Sequence, residues 1–300
     1  MKLLLAIDFS QFSSKVIDAI AARPWPAKSE ACILHVLDWQ ELPMNAAVIQ
    51  EMKESAKRLV MSACTKLSNS GLPATTAIIE GHPRTAIADY AKEWGADFVF
   101  VGSRGAGGVA RFLLGSVAQA TLRRSPCSVE IVREAREQGV PASRGLKMLL
   151  ATDGSACSMA AIRSVAQRPW PAGSQIRVVS VIPVIVPLAQ TVAIAPTYYP
   201  SSVLYDELVE ISRERAESAL VPAQEILRDA GIPVEPESPL VGDPREIILD
   251  EAKNWGTDLI VLGSHGHRGI DRLMLGSVSE SVAIHAHCSV EVIREAAPRA

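Results

Sequence analysis

The sequence lacks the cysteine spacings of a disulfide framework or a zinc site. Its 300 residues include five cysteines, an odd number, with no CxxC pair and no cysteine–histidine cluster. Disulfide-stabilised domains and zinc sites both show such patterns. Cys127 and Cys288 stand at equivalent places just before apolar segments, where cysteine commonly acts as a small buried hydrophobe. We therefore predict neither disulfides nor a protein-bound metal.

Strong charge of one sign and a long apolar run are also missing. The formal net charge of -3 gives no electrostatic reason to expect nucleic-acid binding, which needs a basic face. The N-terminal apolar run ends at Asp8, and a similar run recurs internally before Asp153, so both are better explained as buried strands than as a signal peptide. The uncharged segment Pro183–Pro200 contains several prolines that would break a membrane-spanning helix. We expect a cytoplasmic protein with no membrane span and no nucleic-acid partner.

What the sequence does contain is an internal repeat. Residues 102–117 read GSRGAGGVARFLLGSV and residues 263–278 read GSHGHRGIDRLMLGSV, each with the spacing G-x2-G-x9-G-S. The similarity extends over residues 81–135 and 242–296. A period of about 150 residues is the size of a whole domain. We predict two domains, 1–135 and 146–300, with a linker at 136–145.

Each half alternates apolar strands with amphipathic helices. The order β-α-β-α-β-α-β-α-β predicts two tandem, doubly wound α/β domains, each with a parallel five-stranded sheet. Strand 1 is predicted at Leu3–Ile7 and Met148–Thr152, apolar runs typical of strands covered on both faces. Strand 3 of the second half is predicted near Val234–Pro239. Ser10 and Ser155 are placed to cap the helix that follows strand 1.

The glycine motif predicts a phosphate-binding site. It follows strand 4, and ligands of open parallel sheets bind beyond the carboxyl ends of the strands, where the strand order reverses. Glycine permits a positive φ and lets the backbone approach an anion, and the final Gly-Ser pair enters a helix whose first N–H groups favour phosphate. An aspartate at the end of strand 1 can accept ribose hydroxyls or hold Mg²⁺ beside a polyphosphate. The candidate residues are Asp8, Gly102, Gly105, Gly115 and Ser116 in the first half, and Asp153, Gly263, Gly266, Gly276 and Ser277 in the second.

The motif is neither a Walker A loop, because GK[ST] is absent, nor the G-x-G-x-x-G dinucleotide fingerprint. Together with the strand-1 aspartates and the domain-sized repeat, it resembles the universal stress protein family, and its glycine spacing is that of the ATP-binding members. The resemblance implies one ATP or related adenine nucleotide per domain, with backbone near Val36 and Val181 meeting the adenine. It also implies that the two domains form a pseudo-dimer within the chain through strand 5, and it leaves a homodimer open.

Some residues depart from the family pattern or differ between the repeats. Strand 5 carries Glu130 and Glu291 where the family has an aliphatic run, and Arg133 and Arg294 are the candidate partners of these carboxylates. The strand-1 aspartate is followed by Phe9 in the first half and by Gly154 in the second, which predicts a tighter first site. His265 and His267 flank Gly266, and each either touches phosphate or a metal or stays in solvent. Arg111 and Arg272 lie within the x9 segments, and each either reaches a phosphate or pairs with an acid on the surface.

No nucleophile stands at a recognisable spacing from a base, and no carboxylate pair is placed for acid–base work. We therefore predict no catalytic residues and a nucleotide-binding regulatory protein of the stress response, whose shape or partner choice depends on ATP occupancy. Two alternatives remain. One is a slow ATPase or nucleotide-processing enzyme on the same scaffold. The other is a partner-binding scaffold that uses the apolar 183–200 segment as a lid or an interface.

Overall fold

A computed structural model describes residues 1–38, 45–105, 114–133, 145–183, 202–234, 238–266 and 275–295. The predicted linker at 136–145 lies outside these ranges except for Gly145, and the apolar 183–200 segment lies outside them except for Pro183. The same is true of Arg111, His267 and Arg272. The proposals attached to these residues stay predictions.

The first half forms strands and helices in strict alternation. Its apolar strand residues Leu3, Leu4 and Leu5 are all fully buried, because helices cover both faces of the sheet. The elements are β1 Lys2–Ala6, α1 Gln11–Ala21, β2 Glu30–Leu37, α2 Ala46–Asn69, β3 Ala74–Glu80, α3 Pro83–Trp94, β4 Phe98–Gly102, α4 Ser116–Arg124 and β5 Ser128–Val132.

The second half repeats this order with one additional short strand. Helices α1, α2, α5 and α6 pack on one face of the sheet, and α3, α4, α7 and α8 pack on the other. Its elements are β6 Lys147–Ala151, α5 Ala156–Ala166, β7 Gln175–Val179, β8 Val181–Pro183, α6 Ser202–Asp229, β9 Leu240–Gly242, α7 Pro244–Trp255, β10 Leu259–Gly263, α8 Ser277–His285 and β11 Ser289–Ile293.

Nine strands form one sheet in the order β3-β2-β1-β4-β5-β11-β10-β6-β7. Strands within each half are parallel, whereas β5 and β11 pair antiparallel and join the halves. The predicted doubly wound α/β class is confirmed, and the predicted intrachain pairing through strand 5 is present. The strand order reverses between β1 and β4 and again between β6 and β10, which marks the two places where ligands of such sheets bind.

The third strand of the second half differs from its prediction. Val234 forms an isolated bridge with Ile176, while the strand itself begins at Leu240 and pairs with β8 in a separate two-stranded sheet. The predicted range Val234–Pro239 contains two prolines, and proline lacks the N–H group that a strand ladder requires. The predicted bounds were therefore wrong at this strand.

Two carboxylates face each other where the halves meet. Glu130 and Glu291 are opposite in the antiparallel register of β5 and β11, and both are 0% exposed. Arg23 donates two hydrogen bonds of 2.6 Å to Glu130, and Arg168 makes the matching bidentate pair with Glu291. The expected pairing with Arg133 and Arg294 was wrong, because these arginines extend beyond their strands toward the opposite half.

Arg133 and Arg294 instead join the halves through helix ends. Arg133 Nη2 donates to the carbonyl of Ala283 at 2.6 Å, near the end of α8. Arg294 Nη2 donates to the carbonyl of Leu122 at 3.0 Å, near the end of α4. The last carbonyls of a helix have no partner within it and lie at the negative end of its dipole. Each half thus caps a helix of the other.

Candidate functional site

A cavity of about 830 Å³ opens at the carboxyl ends of β6 and β10, between which the strand order reverses. Its volume lies within the range of about 300–1,000 Å³ that is typical of small-molecule sites. Every residue predicted for a site in the second half lines it: Asp153, Val181, Gly263, Gly266, Gly276 and Ser277. Residues as far apart as 124 positions in the sequence (277 − 153) thus share one cavity.

Asp153 and Gly266 lie against each other in this cavity. Asp153 follows β6, and its Oδ1 accepts a hydrogen bond of 3.0 Å from the Ser155 N–H. A Cβ atom added to Gly266 would overlap Asp153 Oδ2. The first half repeats the arrangement, since a Cβ on Gly105 would lie 2.7 Å from Asp8 Oδ2. Glycine is therefore needed at this position so that the aspartate can approach the loop.

The glycines that end β4 and β10, Gly102 and Gly263, also lie close to neighbouring atoms. A Cβ on Gly263 would lie 2.6 Å from the backbone of Cys157 and Ser158, where α5 begins. A Cβ on Gly102 would meet the Phe12 side chain at 3.1 Å. None of these strand-end and loop glycines has φ in the left-handed region. The expectation that they supply positive φ was wrong, because what they permit is contact with neighbouring groups.

The final Gly-Ser pair of each motif begins a helix, as predicted. Gly276 is the N-cap of α8 and contributes no side-chain cap, and its N–H donates to the Ser264 carbonyl at 2.7 Å. Gly115 is the N-cap of α4 in the same way, with its N–H 2.8 Å from the Ser103 carbonyl. The first-turn N–H groups of a helix have no partner within it, so they are available to an anion.

The remaining predicted residues are Val36 and Val181. Val181 belongs to β8, which pairs with β9 in the separate small sheet, and it lines the second cavity together with Asp153. Val36 belongs to β2 and lies two residues beyond Leu34, which pairs with Ala6, the last residue of β1. The structure thus brings Val181 and Asp153 into one cavity.

The surroundings of the aspartate differ in the first half. Asp8 Oδ1 accepts hydrogen bonds from the hydroxyls of Ser10 and Ser13. Ser10 occupies the N-cap position of α1 but makes no side-chain cap, so the predicted cap was wrong there, whereas Ser155 does accept from the Ser158 N–H. Phe9 is 54% exposed and its ring meets that of His35 edge-on, with centroids 5.0 Å apart. Phe9 thus covers the end of β2.

Sequence reasoning missed several polar residues of the second cavity. Ser212 and Arg215 reach it from α6, and Ser180 and Ser279 also line it, whereas His265 was already a candidate from the sequence. Ser212 and Arg215 are three residues apart, which places both on one face of the helix. This spacing is the sequence signal that could have identified them. The contact between His265 Nε2 and Cys157 Sγ, at 3.3 Å, had no such signal because 108 residues separate the two side chains.

Metal ligands do not cluster in the described part of the chain: it contains no group of three or more His, Cys, Asp or Glu side chains arranged to hold an ion. None of the helices that the structure describes combines the length and apolar character that a membrane crossing requires.

The fold and the repeated site define a tandem α/β protein in which each half carries a strand-1 aspartate, a glycine loop and a bare helix N-terminus. The sequence model of the universal stress protein family matches residues 1–133 and 146–294. These two matches cover most of the chain, and the chain belongs to this family.

Individual relatives agree with this assignment. A universal stress protein of Mycolicibacterium smegmatis is 27% identical over 302 residues, covering 97% of this chain and 96% of the relative. The universal stress protein YxiE of Bacillus subtilis is 31% identical over 147 residues, which are 44% of this chain and 98% of the relative. The crystal structure of a universal stress protein from Archaeoglobus fulgidus shares the fold, with a TM-score of 0.64 and 22% identity over 98% of this chain and 96% of that chain.

Proposed function

We propose that the chain is a nucleotide-dependent regulatory protein of the stress response that binds one adenine nucleotide, ATP, in each half. One observation carries the proposal: the six residues predicted from the second repeat all line a single cavity of about 830 Å³ at the sheet's reversal point. Occupancy changes the shape or the partner choice of the protein because a ligand favours the state to which it binds more tightly.

The residues suit the parts of a nucleotide. The N–H groups at the start of α8 and the Ser277 hydroxyl are donors for phosphate oxygens. The apolar wall near Val181 suits a base, and the Asp153 carboxylate accepts from ribose hydroxyls or holds Mg²⁺. Magnesium usually takes one or two protein carboxylates together with substrate phosphates, so an ion brought by the nucleotide needs no further protein ligands here.

Arg215 adds positive charge to the same cavity, and His265 adds an imidazole. Both line it, and Arg215 comes from a helix that the glycine motif does not include. A polyphosphate carries several negative charges, and a guanidinium is a strong donor to phosphate oxygens. The cavity therefore offers cationic as well as backbone donors to an anionic ligand.

The first experiment measures nucleotide stoichiometry. We expect two ATP molecules per chain by calorimetry and by native mass spectrometry, and one in the double variant Gly266→Val/Gly276→Val, because the new side chains displace Asp153 and crowd the loop. The matched variant Gly105→Val/Gly115→Val should also retain one site. Mass spectrometry of small molecules released from the denatured wild-type protein should identify an adenine nucleotide.

Circular dichroism and thermal unfolding establish that each variant is folded. A folded second-half variant that still binds two ATP molecules would overturn the assignment of the second site. A first-half variant with unchanged stoichiometry would overturn the first site alone.

A further inference from the structure

A thiol and an imidazole meet behind the wall of the second cavity. Cys157 is the second residue of α5 and is 4% exposed. Its Sγ lies 3.3 Å from His265 Nε2, and the buried Ser264 hydroxyl lies 3.9 Å from the sulfur. His265 lines the cavity itself. One side chain therefore separates the sulfur from the cavity.

In the first half, different side chains make the equivalent contact. The equivalent residues of the first half are Phe12 and Arg104, and the Arg104 guanidinium lies 5.3 Å from the centroid of the Phe12 ring. Both halves keep a contact between the start of the strand-1 helix and the glycine loop. Only the pair in the second half contains a nucleophile and a group that can take its proton.

Three of the other described cysteines have raised pKa values, which make them poor nucleophiles. Burial raises the pKa of Cys127 to about 11 and that of Cys288 to about 12. Burial also raises the pKa of Cys32 above its ordinary value. The thiolate is the reactive form of cysteine, and a helix N-terminus or an adjacent histidine favours it. Cys157 lies in the first turn of α5 and contacts His265. Cys64 is only half-buried, so these two thiols must be separated by experiment.

We propose that Cys157 is a hydroperoxide-reactive thiol whose oxidation to a sulfenic acid perturbs the second cavity through His265. The imidazole takes the thiol proton, the sulfur attacks one oxygen of hydrogen peroxide, and an S–O bond forms as the O–O bond breaks. The departing hydroxide takes a proton from the imidazolium and leaves as water. The sulfur is oxidised by two electrons and the peroxide is reduced, which is the first step of cysteine oxidation.

The added oxygen connects the modification to the cavity. It needs room where Sγ and His265 Nε2 are now 3.3 Å apart. The Cys157 backbone cannot shift toward β10, because it already packs so closely on Gly263 that a Cβ atom there would lie 2.6 Å from it. His265 therefore moves, and the cavity that it lines changes shape. The effect on nucleotide binding rests on the proposed function, whereas the reactivity of the thiol does not.

The reactivity is tested on the full chain in a Cys64→Ser background, which removes the half-buried thiol. The protein is treated with hydrogen peroxide, and sulfenic acid is trapped with dimedone and located by peptide mass spectrometry. We expect Cys157 to be labelled at least about tenfold faster than Cys127 and Cys288, and His265→Gln to slow that labelling by about tenfold. Equal rates at Cys157 and Cys288, or a folded His265→Gln protein that reacts as fast, would overturn the proposal.

The coupling is tested by calorimetry with ATP before and after peroxide treatment. We expect oxidation to weaken one of the two ATP sites by about tenfold, which is about 1.4 kcal/mol, and Cys157→Ala to prevent the change. Labelled protein with unchanged ATP affinity would overturn the coupling. Untreated protein that binds no ATP would instead overturn the proposed function, and the labelling rates would still decide whether Cys157 is the reactive thiol.

Discussion

The two halves repeat their buried ion pairs and their arginine caps where they join, and they use different contacts where each surrounds its candidate site. At the junction, Glu130 and Glu291 are each held by an arginine of their own half. Arg133 and Arg294 then cap helices of the opposite half. A residue at this junction must fit both halves at once, so a change on one side requires a matching change on the other.

The candidate sites have diverged instead. Phe12 and Arg104 of the first half correspond to Cys157 and His265 of the second, and Phe9 corresponds to a glycine with φ of 78°. The comparison shows that the ion pairs and arginine caps of the junction are kept in both halves, whereas the side chains around the two candidate sites differ.

The largest expected effect tests the junction. Arg168→Ala leaves the Glu291 carboxylate buried without its partner, and burial already raises the pKa of Glu291 above its ordinary value. Loss of one partner of a buried ion pair costs about 3–5 kcal/mol. We expect a fall of this size in the free energy of unfolding, measured by urea titration at neutral pH, and a fall of similar size for Arg23→Ala.

The control for this prediction removes both charges. The double variant Arg168→Met/Glu291→Leu should recover most of the loss, because a buried ion pair replaced by apolar side chains of similar volume is often neutral. A single variant as stable as the double variant would contradict the view that the unpaired carboxylate is the source of the cost. Unequal losses in the free energy of unfolding for the Arg23 and Arg168 variants would show that the two ion pairs do not contribute equally to stability.

The second prediction compares equivalent glycines at the two strand ends. Gly263→Ala places a Cβ 2.6 Å from the backbone at the start of α5, whereas Gly102→Ala meets a side chain at 3.1 Å. Overpacking of this kind costs about 1–3 kcal/mol. We expect about 2–3 kcal/mol for Gly263→Ala and about 1 kcal/mol or less for Gly102→Ala, measured by urea unfolding. Equal losses of stability would mean that the backbone at the start of α5 shifts as readily as the Phe12 side chain does.

Much of the fold could be predicted from the sequence because its signals are local and repeated. Apolar runs, helix-ending prolines and the glycine motif occur at matching places in both halves, which placed the parallel strands and the α4 and α8 helix starts. The bounds of β9 could not be predicted in the same way. Prolines interrupt that segment, and the choice between pairing with β7 or with β8 depends on tertiary packing.

Contacts between distant residues were beyond the reach of sequence patterns. Glu130 pairs with Arg23, 107 positions away, whereas the neighbouring Arg133 points to the other half. The role of Gly266 likewise depends on Asp153, which approaches it only in the folded chain. Spacing indicates which residues share an element or a loop, but it does not indicate which side chains of separate elements meet.

The smallest expected effect concerns the start of the third helix in each half. Asp243 is the N-cap of α7 and accepts from the Arg245 N–H at 2.8 Å, while His82 caps α3 by accepting from the Arg84 N–H at 3.2 Å. Removal of a helix cap costs about 1 kcal/mol. We expect losses of this size for Asp243→Ala and His82→Ala at neutral pH, measured by urea unfolding.

The contribution of the Asp243 cap depends on pH. A side-chain hydrogen bond from Arg245 is the main reason that the pKa of Asp243 is lowered to about 2, below the value of about 3.9 for an unfolded aspartate. Because the folded pKa is the lower one, the charge contributes stability above about pH 4 and loses it as pH falls toward 2. The difference between wild type and Asp243→Ala should therefore shrink over this range, whereas Asp243→Asn, which keeps an acceptor oxygen without the charge, should show little of this dependence. A wild-type advantage over Asp243→Ala that stays constant from neutral pH to the lowest pH at which the protein is folded would show that the carboxylate acts as an acceptor alone.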